Sequence, residues 1–135
     1  MKTGPFTANL PAAVAITLGS ILLLFGLITF ASPTVMNHYE IAVASAESRI
    51  GIRAIVGGGE IGLGLFILLG NLFGVELRSR LLVAAVVFGS VATGRLAASL
   101  IEIESVIPLS VYREIFAEFT IFACALAALQ ASHKR

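Results

Sequence analysis

Five charged residues stand inside otherwise apolar stretches of this chain: Arg53, Glu60, Arg95, Glu114 and Glu118. The planar fork of an arginine holds two carboxylates at once and stays charged. A carboxylate taken out of water pairs with such a cation or exchanges a proton. The spacing of these residues groups them. Gly57, Glu60, Gly64 and Asn71 follow Arg53 at offsets of 4, 7, 11 and 18, so on a helix all five share one narrow stripe. Arg95 is followed on nearly the same helical face by Ser99 and Glu102, and Glu114 and Glu118 lie one turn apart. The chemistry within reach is an Arg/Glu network that pairs internally or receives a polar guest. We expect Arg95 to bridge toward Glu60 or Glu118, with Arg53 capping the network.

Other chemistries find little support. Cys124 is the only cysteine, which excludes an intrachain disulfide and a CxxC motif. His38 and His133 are far apart and lie outside the apolar runs, so no metal site and no cofactor is expected. No nucleophile–base pair is evident, no catalytic residue is assigned, and we expect no enzyme. "GGGE" at 57–60 is no phosphate loop, because no strand precedes it. The formal net charge of +1 gives no support to a nucleic-acid partner.

The elements that position the five charges follow from composition. Of 135 residues, 58% are hydrophobic and 13% charged, against about 45–50% and 25% in soluble domains. That excess runs along the whole chain and predicts an integral membrane protein whose first partner is the lipid bilayer. Four segments reach the roughly 20 apolar residues that a crossing requires: about 11–30, 50–70, 81–100 and 112–131. Pro11 suits a first helical turn, "ASP" at 31–33 stops the first span, and Pro108 precedes the fourth. The first run exceeds a signal-peptide h-region in length and is read as a retained span. Short connections predict an all-α, up-down-up-down four-helix bundle, a single transmembrane domain over 1–135. The longest connection, 31–49, is expected to lie on the interface as an amphipathic turn or short helix, anchored by Tyr39.

Charge in the short loops sets the orientation. One side carries Lys2, Arg78, Arg80, Lys134 and Arg135 against Glu76, while the other carries Arg49 and Arg113 against Glu40, Glu47, Glu102 and Glu104. Positive loops stay inside, so both termini are expected in the cytoplasm, with the bacterial inner membrane as the location. Arg53, Arg95, Glu114 and Glu118 then fall at similar depth in the outer half of the bilayer, with Glu60 nearer the middle.

Glycines recur beside the charges. Gly57 and Gly64 lie in the polar stripe, Gly58 and Gly62 form GxxxG almost opposite it, Gly70 and Gly74 form another, and Gly94 follows Ser90 by four. Small residues at this spacing let helices approach closely. We therefore expect helix packing at Gly57, Gly58, Gly62, Gly64 and Gly94, with Gly58 and Gly62 also able to face a second copy of the chain.

"RAIVGGGEIGLGLFILLG", then "GRLAASLIE", then the glutamate of "YREIFAEF" resemble a family of small bacterial four-helix membrane proteins without an established activity, similar in layout to DoxX-like membrane proteins. The likeness covers roughly residues 10–131 and implies Arg53, Glu60, Arg95 and Glu118 as the characteristic polar positions. DoxX-like proteins are associated with quinone or thiol redox systems, so the likeness implies a lipid or quinone-like guest, although a single cysteine leaves no thiol pair. Three readings stay open. The network binds a small amphipathic molecule, lipid headgroup or membrane partner; or it only fixes helix packing in an accessory subunit; or Glu60 serves a proton-coupled transporter.

Overall fold

The computed structural model describes residues 5–39, 41–102 and 107–132. Every regular element among them is helical. Helix α1 is Pro5–Ala31, followed by a 3-10 turn at Pro33–Tyr39. Helix α2, Ala46–Ile52, runs through a π turn at Arg53–Gly57 into α3, Gly58–Leu69, which closes on a 3-10 turn at Gly70–Phe73. Helices α4, Leu77–Ile101, and α5, Leu109–Ser132, complete the chain. Four helical stretches are long and apolar enough to cross a membrane: Leu10–Ala31, Ala46–Phe73, Leu77–Ile101 and Leu109–Ser132.

Each stretch matches an expected span and outruns it, mostly at its start. The apolar pattern ends before the helix does, because polar first turns such as Leu77–Arg80 keep helical backbone. The second stretch starts at Ala46 for a local reason. Ser45 Oγ accepts from Ser48 N at 3.0 Å, and Ser48 Oγ accepts from Ser45 N at 3.1 Å. This is a capping box with serine in place of the usual Glu or Gln. Pro11 was expected in a first turn; it lies inside α1, where its missing N–H removes one helical hydrogen bond.

The described residues of the connections form short local structures. The 31–49 segment forms a short 3-10 helix, closed where Val43 N donates to Asn37 Oδ1 at 3.2 Å. There the rings of His38 and Tyr39 meet edge to face at 5.5 Å. Gly74 sits at φ 76°, a left-handed position that ends the second stretch and that glycine adopts without a Cβ clash. That turn accounts for Gly74, which meets no neighbour within 4 Å as a packing residue would.

The chain divides into two compact units, Ile16–Gly74 and Met1–Ala15 with Val75–Arg135. Within the first, α1 and α3 run antiparallel at backbone contact. A Cβ on Gly26 would stand 2.6 Å from Ile61 N, one on Gly64 2.6 Å from Leu23 N, and one on Gly57 2.9 Å from Phe30 N. Gly19 meets the Leu68 side chain at 2.8 Å in the same way. Two glycine pairs seven residues apart, 19 with 26 and 57 with 64, therefore face each other, and real side chains would hold the helices apart.

Within the second unit, α4 and α5 form an antiparallel hairpin. Leu81, Ala84, Ala85, Phe88 and Ala92 are buried on α4, as are Ala125 and Ala128 on α5. Small residues again set the approach: the Phe122 ring lies over Gly89, 2.8 Å from where a Cβ would be.

Replacing Gly26 by alanine is expected to cost about 1–3 kcal/mol through overpacking against backbone. Gly62→Ala, with nothing within 4 Å of the new Cβ, is expected to be neutral or stabilising. Thermal unfolding of both variants in detergent measures the contrast; equal losses would contradict the packing described.

Candidate functional site

Arg95 lies six residues before the end of α4, and Glu114 and Glu118 lie one turn apart near the start of α5. The antiparallel hairpin brings these ends together. Arg95 Nη2 donates to Glu118 Oε1 at 2.8 Å, and Nε lies 3.1 and 3.0 Å from Glu118 Oε1 and Oε2. Nη1 reaches Glu114 Oε2 at 2.8 Å. One guanidinium thus clasps two carboxylates of the neighbouring helix, and the expected link from Arg95 to Glu118 is present. Glu114, expected only as a neighbour at the same depth, is a direct partner.

The expected burial of this network needs correction. The side chains of Arg95 and Glu114 are each 29% exposed, and that of Glu118 is 15% exposed. Glu114 belongs to the second turn of α5, close to a helix end where few neighbours cover it. A half-open ion pair gains less from its Coulomb attraction than one in a dry interior, and also loses less in desolvation.

Arg53 was expected to cap the Arg/Glu network. Its Nε donates instead to the main-chain oxygen of Phe30 at 2.8 Å. Phe30 lies in the last turn of α1, whose carbonyls lack helical partners, so a cation there satisfies an orphan acceptor and the negative end of the helix dipole. Gly57 presses on the same Phe30 backbone one turn later. The π turn at Arg53–Gly57 accommodates both contacts.

Glu60 follows on α3, about 40–60° around the helix from the Gly57–Gly64 row. Its Oε2 is shielded from solvent and has no hydrogen-bond partner, although the residue as a whole is only half-buried. It is the one carboxylate oxygen among the described residues in this condition. Four hydroxyls of α4 and α5, by contrast, are satisfied locally. Ser90, Thr93, Ser99 and Thr120 each donate to the carbonyl four residues back, at 2.7 to 2.9 Å, the usual recourse of such side chains where water is scarce.

The glycine expectations divide. Gly57 and Gly64 do serve close packing, and the helix they meet is α1. Gly62 and Gly94 meet nothing within 4 Å, and Gly58 meets only the carbonyl of Arg53 at 3.5 Å. No packing partner within the chain stands against these positions, and Gly58 and Gly62 point away from the helix that the Gly57–Gly64 row faces. Gly19 and Gly26 were overlooked; their seven-residue spacing, identical to that of Gly57 and Gly64, was the available signal. Cys124 is exposed on α5 and unpaired. Glu40, Glu104, Lys2, His133, Lys134 and Arg135, used in reading orientation and metal chemistry, lie outside the described residues. Among those described, no three of His, Cys, Asp or Glu gather as a metal would need.

Comparison with family models, curated proteins and solved structures gives no match for this chain.

Arg53→Gln is expected to lower stability by about 1 kcal/mol through loss of the charged cap on α1, with Arg53→Lys recovering part of it. Unfolding midpoints in detergent test this; a Gln variant as stable as the parent would show that the Phe30 contact contributes nothing.

Proposed function

We propose that this chain forms an up-down-up-down four-helix bundle in a bacterial inner membrane, with both termini in the cytoplasm, and that it binds a small amphipathic molecule whose polar head donates a hydrogen bond to Glu60. This reading retains the likeness in layout to DoxX-like proteins. The observation that carries it is the lone Oε2 of Glu60. An acceptor shielded from water without a donor loses about 1–3 kcal/mol, more when charged, and a guest bringing an N–H or O–H group restores that loss. Exposed apolar side chains on the same helical stretch suit the guest's hydrocarbon part: Ile55 is 78% exposed and Phe73 83%. Soluble monomers rarely expose such residues in quantity, whereas lipid covers them at no cost.

The Arg95 clasp favours a second reading. Nε, Nη1 and Nη2 all point at carboxylates, so this arginine serves helix packing and does not offer itself to an anionic headgroup. In an accessory subunit of a larger complex, such a clasp would be the network's whole purpose.

Native mass spectrometry of the detergent-extracted protein separates the two. Binding predicts a small-molecule adduct on the parent that weakens about tenfold in Glu60→Gln, as loss of one charge-assisted hydrogen bond would give, and survives in Arg113→Gln. A bare parent chain, or an adduct indifferent to Glu60→Gln, overturns it. A larger protein retained in stoichiometric amount supports the accessory subunit.

A further inference from the structure

Two adjoining cavities of about 220 and 240 Å³ open at the Leu77 end of α4. Glu76 and Arg78 line both of them. Ser132 borders the first, and Leu82 and Leu129 border the second. Glu76 and Arg78 are exposed, and among the described residues no ion pair joins them. A carboxylate and a guanidinium thus share one groove without neutralising each other, beside leucines that continue along the α4–α5 seam.

From this juxtaposition we propose a lipid site: Arg78 takes the phosphate and Glu76 the primary ammonium of a phosphoethanolamine headgroup, with an acyl chain along Leu82 and Leu129. The site rests on the membrane reading above, which puts this end of α4 at the cytoplasmic face. Guanidinium suits phosphate because its fork donates two parallel hydrogen bonds. An ammonium has three N–H donors for a carboxylate, and a quaternary choline has none. Glu76 also disfavours a purely anionic headgroup by like-charge repulsion. Basic pockets between spanning helices on the cytoplasmic side are recurrent headgroup sites; the acid beside Arg78 shifts this one toward a zwitterion.

The test is lipid retention in native mass spectrometry of the full chain, purified in detergent and mixed with phosphatidylethanolamine, phosphatidylcholine or phosphatidylglycerol of the same acyl chains. The parent is expected to retain phosphatidylethanolamine about tenfold more than phosphatidylcholine, the factor that one charge-assisted hydrogen bond gives. Glu76→Gln should abolish that preference while leaving retention of a phosphate lipid, and Arg78→Gln should weaken all three. Equal retention of the two zwitterionic lipids by the parent, which needs no variant, overturns the proposal, as does a preference for phosphatidylglycerol or one unchanged in Glu76→Gln. Resistance of the membrane-bound chain to alkaline carbonate is read in parallel. Release by carbonate refutes the membrane reading, whereas resistance without headgroup preference refutes only the site.

Discussion

Arg95 between Glu114 and Glu118 is the interaction on which the second unit depends. A guanidinium in a largely apolar hairpin must be held by carboxylates, and only one antiparallel register of α4 on α5 brings two of them to it. That register then lays Phe122 over Gly89 and lines up the buried alanines of both helices. Dispersion and apolar packing alone tolerate a slip of one turn along such alanine-rich surfaces. A bidentate ion pair does not, because its geometry fails within an ångström or two. The charge therefore contributes definition of the fold more than raw stability, in keeping with its partial exposure.

The first unit solves its packing without an ion pair. Gly19 and Gly26 against Gly57 and Gly64 let α1 and α3 touch backbone to backbone, which increases the number of atoms in contact between the two helices. Arg53 then closes the end of α1 on the Phe30 carbonyl. Arg53 and Arg95 are thus each accounted for by protein acceptors. Glu60 retains a shielded oxygen with no donor, and this asymmetry is why the functional proposal centres on it.

The helices were legible in the sequence because about 20 apolar residues in succession are a length signal that needs no tertiary information. Boundaries shifted where a cap such as Ser45 or a polar first turn such as Leu77–Arg80 extended the backbone beyond the apolar pattern. The Arg95–Glu118 pair was legible because few carboxylates stand inside the apolar stretches. The target of Arg53 was not, since a main-chain carbonyl has no sequence signature. Of the glycines, periodicity identified small residues but not the face each presents. Gly57 and Gly58 are neighbours in sequence, yet one is pressed against Phe30 and the other meets only its own helix. The π turn at Arg53–Gly57 is likewise a response to two contacts at one place on α1, invisible until both helices are in hand.

A double-mutant cycle on Arg95 and Glu118 tests the central claim most directly. With Arg95→Gln, Glu118→Gln and the double variant unfolded in detergent, the clasp gives a coupling of about 0.5–3 kcal/mol, as expected of residues in one contact network. Losses that simply add, with no coupling between Arg95 and Glu118, would contradict it.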